Sequence, residues 1–186
     1  DGEIKAKADA IVHQLALCQE ENGGQWVGAI PEKYLYWIGR GKQVWAPQYN
    51  LHKILMGLVD QYELAGNQEA LAVADRFADW FCQWSAGKDV LTNMHANTTI
   101  PEVLGCARAY EVTGEQRWRD IVEAYWKLAV DQRGQYATGG QTSGEIWSAP
   151  QALGARLGDK NQEYCTVYNM LRLADYLLRW TGDARY

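Results

Sequence analysis

The five residues YELAG at 62–66 return in altered form as YEVTG at 110–114 and LRWTG at 178–182. Each closes a stretch of helical periodicity, and each glycine is followed by a polar residue: Asn67, Glu115 and Asp183. A glycine just past a helix end supplies the left-handed backbone that stops the helix. The residues that follow restart a helix running back the other way. The glycines are unequally spaced (114 − 66 = 48 and 182 − 114 = 68), which argues against a strict solenoid. The pattern predicts helical hairpins, with tight turns at one end and loops of variable length at the other.

Six helices follow, over about 3–20, 50–65, 68–85, 98–113, 115–132 and 166–181. The fold class is all-α. Leu51, Ile54, Leu55, Leu58 and Val59 show the helical spacing in the second. Asn22, Gly23 and Gly24 end the first. Pro47 and Pro101 stand near helix starts, where a missing N–H costs little. No segment alternates as a strand would.

Composition bounds the function. The chain has 186 residues, 47% hydrophobic and 22% charged, which is the makeup of a folded domain. Its length predicts one domain. The net charge of −5 argues against a nucleic-acid partner, which would want a basic face. No apolar run approaches the ~18 residues of a transmembrane helix, and no basic-then-apolar segment opens the chain. The compartment stays open between cytoplasm and periplasm or secretion. There are 9 Trp and 11 Tyr against 2 Phe. Aromatics with a polar handle suit carbohydrate clefts, but they also build helical cores. Of the four cysteines, Cys82 and Cys106 sit in apolar helical patterns and read as small buried hydrophobes. Cys18, Cys165 and these two form no C-x-x-C pair, so the chain carries no complete zinc motif.

The unusual polar residues gather at one end of the predicted frame. His52 lies 14 residues before Gly66, His95 lies 19 before Gly114, and Glu163 and Cys165 lie 19 and 17 before Gly182. At ~1.5 Å per residue all stand roughly 20–28 Å from the tight turns. The second, fourth and sixth helices therefore run parallel, with their N-terminal mouths at one pole. The long loops, about 86–97 and 133–162, lie at the same pole. This is the layout of inner helices in an α/α toroid.

Each candidate has a functional and a plain reading. Glu145, in GGQTSGEIW at 139–147 with Trp147 beside it, is either a shielded general acid or a surface glutamate. Glu163 and Cys165 share a face if extended and would hold half a zinc site; otherwise they are an exposed glutamate and a buried cysteine. Thr166 would then cap the helix. His52 and His95 either donate to a sugar hydroxyl or serve as capping or core histidines. Trp45 and Tyr49 wall a sugar pocket or pack a loop.

Four segments in order carry a resemblance. VWAPQYNLHKILMGLVDQYELAGNQEAL at 44–71, HANTTIPEVLGCARAYEVTGE at 95–115, GGQTSGE at 139–145 and EYCTVYNMLRLADYLLRWTGDARY at 163–186 resemble the β-L-arabinofuranosidases of glycoside hydrolase families 127 and 146. The resemblance runs from about residue 10 to Tyr186. It implies an (α/α)6 barrel followed by β-sandwich domains, and a retaining mechanism in which a zinc-bound cysteine thiolate attacks the anomeric carbon. It implies further that Glu145 is the acid/base, that Glu163 and Cys165 are the first two zinc ligands, and that His52 and His95 bind the sugar. The substrate implied is a glycan bearing terminal β-L-arabinofuranosyl groups. The chain departs from the pattern in having no adjacent Cys-Cys pair and no upstream R-G-H, and in placing Tyr at 164 where relatives often carry Thr. Residues 1–186 are therefore expected to be a central part of one catalytic barrel domain, truncated at both ends, without the β-sandwich domains and inactive alone. Such a piece would expose apolar helix faces. Two other readings stay open: a metal-free toroid enzyme of the unsaturated glucuronyl hydrolase or epimerase type, and a helical glycan-binding module without chemistry.

Overall fold

The computed structural model describes residues 1–186 apart from 41, 43, 45, 46, 87 and 88. Among the described residues there are seven α-helices: α1 (Gly2–Glu21), α2 (Lys33–Gly39), α3 (Gln48–Ala65), α4 (Gln68–Ser85), α5 (Ala96–Thr113), α6 (Gln116–Trp126) and α7 (Tyr164–Thr181). A π-helical turn, Lys127–Asp131, widens the end of α6, and a 3-10 turn covers Gly154–Arg156. The only sheet among these residues is a two-stranded hairpin, β1 (Thr142–Ser143) and β2 (Ile146–Trp147).

The three glycine stops act as the sequence requires. Gly66, Gly114 and Gly182 take φ of 69°, 72° and 67°, each just past a helix end. Asn67 then opens α4, its side chain accepting from the Ala70 amide. Of the expected helices, 68–85 matches α4 residue for residue, and the others are met to within two residues apart from 115–132, which divides into α6 and the π turn. Two elements were not foreseen: the seven-residue α2 and the hairpin.

The helices form two rows. α5 packs between α3 and α7, while α4 packs on α3, α6 on α5, and α1 on α3 and α4. α3, α5 and α7 run parallel. At their starts Asn97 bonds Tyr49, and Asn169 bonds Asn97. At their ends Arg108 bonds Glu63, and Arg179 bonds Glu111. α5, the middle helix, is buried on nearly every side, from Ala96 through Ala109. Its buried positions include Thr98, Thr99 and Glu102 as well as Ile100, Val103, Leu104 and Ala107. Gly105 lets α5 approach α3 closely: a Cβ there would stand 3.2 Å from Leu55 Cδ2. α4 buries one stripe, Ala70, Val73, Ala74, Phe77, Trp80 and Trp84, at the i, i+3, i+4 spacing of an amphipathic helix. Phe77, Trp118, Leu173 and Leu177 are essentially solvent-free, and each large apolar side chain contributes roughly 1.5–3 kcal/mol.

The flanks are less covered. On α7, Tyr164, Tyr168, Leu171 and Leu178 are exposed, as are Ile4 and Ile11 on α1. No helix is long and apolar enough to cross a membrane among the described residues. Cys106 is buried as expected, but Cys82 is exposed; its position on α4 lies off the buried stripe.

Candidate active site

The site is built where the starts of α3, α5 and α7 meet the loops. The hairpin comes first. Thr142 pairs with Trp147 and Ser143 with Ile146, leaving Gly144 and Glu145 as a two-residue turn. Both have positive φ, 60° and 69°. Such primed turns match the twist of a hairpin, and they favour Asn-Gly. A glutamate in the left-handed region costs roughly 1–2 kcal/mol, so Glu145 is held there by its surroundings. Its carbonyl accepts from the Ala96 amide at 2.9 Å. Ile146 bridges His95, and the Trp147 amide donates to Met94 O at 3.0 Å. The hairpin is thus stitched to the segment leading into α5.

This stitching brings His95 Nε2 to 3.3 Å from Glu145 Oε2. The His95 side chain is 6% exposed and that of Glu145 48%. The carboxyl is therefore open to a cleft of about 400 Å³ shared with Lys160 and Glu163. Shielding of Glu145 by Trp147 is not what the structure shows. Trp147 is 1% exposed, and its indole N–H donates to Thr99 Oγ1, which in turn pairs with Tyr125 Oη. It is a core residue under the hairpin and offers no surface to a sugar.

His52 and Tyr49 enter from the first turns of α3. Tyr49 is partly exposed, and its ring lies 5.6 Å from His52 and 6.0 Å from His95. Burial, helped by the neighbouring Lys53 ammonium, lowers the His52 pKa from 6.5 to about 4. The imidazole is therefore neutral at neutral pH, and its buried Nδ1 has no hydrogen-bond partner among the described residues. Trp45 lies outside the described residues.

Glu163 and Cys165 meet at the start of α7, though not by sharing an extended strand. Glu163 is the N-cap, with extended backbone, and Cys165 falls in the first helical turn. Thr166 is not the cap; it is buried and donates to Glu163 Oε2 at 2.7 Å. Burial and then the hydrogen bond and charge of Glu163 push the Cys165 thiol up. A thiol and a carboxyl are donor types that zinc takes, and a divalent cation held between them would favour the thiolate. The pair would supply half of a zinc ligand set. No group of three or more His, Cys, Asp or Glu that could hold a metal occurs among the described residues.

Several site residues escaped the sequence reading. Asn97, Asn169 and Arg172 line the inner wall beside Tyr49, and Lys160 borders the cleft. Arg133, 1% exposed at its side chain, reaches both loops behind the hairpin: Nε donates to Ser148 O, and Nη2 to Asp89 and Thr92. The Asn pair alone had a legible signal, since each stands in the first turns of an inner helix.

A family profile described as β-L-arabinofuranosidase, GH127 catalytic domain, matches residues 1–88 and 83–186. No curated protein matches the chain. The two matched stretches span the chain from end to end, and it belongs to this glycoside hydrolase family, which implies a carbohydrate substrate.

Proposed function

We propose that this member of the GH127 catalytic-domain family releases L-arabinose from terminal β-L-arabinofuranosides with retention, Glu145 serving as acid and then base. The observation that carries the reading is Glu145 itself. It is a non-glycine residue held at φ 69° on a hairpin tip, with the buried His95 at 3.3 Å. Strained backbone of this kind persists where neighbouring structure over-determines it, and it concentrates at working sites.

The roles follow from the chemistry of each group. Glu145 gives a proton to the departing glycosidic oxygen and recovers one from the water that completes the cycle, as retaining enzymes require. His95 fixes the direction of the carboxyl. Neutral His52 can accept from one sugar hydroxyl or donate to another, and Tyr49 supplies the wall between the two histidines. Glu163 and Cys165 would hold a zinc ion together with ligands from elsewhere. Zinc lowers the pKa of a coordinated thiol so that thiolate exists at neutral pH. The resemblance to the family assigns the attacking thiolate to an adjacent cysteine pair, which residues 1–186 do not contain. Turnover by these residues alone would therefore overturn that assignment.

The experiment compares two leaving groups in the enzyme with its full ligand set. Glu145→Gln should lower kcat by about 10²-fold or more on an alkyl β-L-arabinofuranoside, a general-acid magnitude. On the 4-nitrophenyl arabinofuranoside the loss in the first step should be smaller, because nitrophenolate needs little protonation to leave. Equal losses on both substrates, or a near-parental rate, would show that Glu145 is not the acid.

A further inference from the structure

On the inner wall, one step from Glu145, α3, α5 and α7 enclose a pocket of about 310 Å³ lined by Tyr49, His52, Lys53, Asn97, Asn169 and Arg172. That volume suits one sugar unit. The pocket holds two cations, Lys53 and Arg172, and neither forms an ion pair among the described residues. The other arginines on these elements differ. Arg108 is taken by Asp60 and Glu63, and Arg179 by Glu111 and Asp175. Of the carboxylates on α3, α5 and α7, Asp60, Glu63, Glu111 and Asp175 are thus already matched, and the fifth, Glu102, is buried within α5. His52, neutral beside Lys53, adds no charge.

Met56, Pro101 and Leu104 give the pocket an apolar side, and its two asparagines can read hydroxyls. Asn169 Nδ2 donates to Asn97 Oδ1 at 2.6 Å, and Asn97 Nδ2 donates to Tyr49 Oη at 2.9 Å. This ladder fixes both amides while leaving each with spare donors or acceptors. Arg172 is steered toward the same ladder, with Nη1 3.5 Å from Asn169 Oδ1 and its guanidinium over the Tyr168 ring at 5.7 Å. Tyr49 joins the pocket to the Glu145 site, since its ring faces both His52 and His95. Fixed amides next to two unmatched cations are what a carboxylate on a polyhydroxylated ring requires.

We propose that this pocket binds the carboxylate of an acidic sugar within the glycan, giving the domain a preference for uronate-bearing substrates. The inference rests on the hydrolase reading of the adjoining site, and the test separates the two. The chain is titrated, with amide NMR shifts as the readout, against a methyl galactopyranosiduronate, the neutral methyl galactopyranoside, methyl β-L-arabinofuranoside and acetate. The uronate should bind at least about tenfold more tightly than its neutral counterpart, and high salt should erode that advantage. Lys53→Gln and Arg172→Gln should each weaken uronate binding about tenfold and weaken the neutral sugars much less. Lys53→Arg and Arg172→Lys should restore most of it. Both side chains are exposed at the surface of the wall, and far-UV circular dichroism checks that the variants fold. Equal binding of acidic and neutral sugars would overturn the inference and leave the hydrolase reading standing. Acetate binding as tightly as the uronate would overturn it too, because the pocket would then read charge and not a sugar. Binding of none of the three sugars would overturn the inference, and the hydrolase reading would then stand or fall on the leaving-group comparison in the enzyme with its full ligand set.

Discussion

Replacing Arg133 by Met tests how the two loops behind the hairpin are held. The guanidinium donates to Ser148 O at 2.9 Å, Leu128 O at 2.7 Å, Asp89 Oδ1 at 2.6 Å and Thr92 Oγ1 at 3.0 Å. Ser148 follows β2, and Asp89 and Thr92 precede His95, so one side chain ties together both backbones that set His95 against Glu145. Methionine keeps much of the volume and removes every donor. Breaking a fully buried ion pair from one side costs 3–5 kcal/mol. The Asp89 side chain is 37% exposed and regains water, so the low end applies, about 3 kcal/mol. For a chain of this length each kcal/mol moves Tm by ~2–4 °C, giving a fall of about 6–12 °C.

A calorimetric melt at neutral pH measures this directly, and a fall under ~2 °C would refute the clamp, being less than one kcal/mol. Acid supplies a second arm. Burial pushes the Asp89 carboxyl up, but hydrogen bonds from Thr92, from the Leu91 and Thr92 amides and from Arg133 outweigh it, and its pKa is lowered below 3.8. A carboxyl with a depressed folded pKa gives stability that is present above its ordinary value and lost as pH falls through the lowered one. The gap between parent and Arg133→Met should therefore narrow below 3.8. The bonds to Ser148 and Leu128 do not titrate, so the gap should not close. A gap that is constant through acid would show that the Asp89 contact contributes nothing.

Glu102, buried on α5 with no partner for Oε1, has its carboxyl pushed well above 4.5 by burial. Its stability contribution is full below 4.5 and is lost as pH rises toward the raised value, so Glu102→Met should gain on the parent by about 1.4 kcal/mol per pH unit in that window; a pH-independent difference in urea midpoints sinks this. Glu145→Gly should stabilise the fold by about 1 kcal/mol through relief of the left-handed glutamate, while abolishing activity; a lower Tm would mean that the His95 contact outweighs the strain. The His52 ring protons should stay flat in NMR from pH 8 to 5, with a midpoint near 4. That depressed pKa predicts stability lost as pH falls from 6.5 toward 4, and a midpoint near 6.5 would remove the neutral-imidazole role.

The helices were legible because their stops are local chemistry. Gly66, Gly114 and Gly182 each needed only their own left-handed backbone, which the sequence announces. α2 was not legible, because Lys33–Gly39 is too short to show a period, although Leu35 and Ile38 bury themselves three residues apart. The hairpin was missed for a related reason. Its strands have two residues each, and its turn is Gly-Glu where Asn-Gly would have been the signal. Trp147 adjoins Glu145 in sequence but not in the site. The left-handed Glu145 turns its carboxyl to the cleft, while Trp147, two residues on, lies on the core face.

The site residues were legible as types and illegible as contacts. Glu145 and His95 are 50 residues apart (145 − 95), and nothing local says that they meet. What brings them together is the asymmetry of the hairpins. The glycine ends are held to tight turns and vary little. Every difference in repeat length must then fall at the opposite pole, and the longest connection, between the π turn and α7, is where the extra chain folds back. Its hairpin reaches the start of α5 because Ala96, at the first helical position, has an amide with no helical acceptor. The Glu145 carbonyl fills that vacancy at 2.9 Å. The bond that satisfies the helix start thus helps to set the glutamate beside the histidine, together with the Ile146 bridge to His95 and the Trp147 amide on Met94 O.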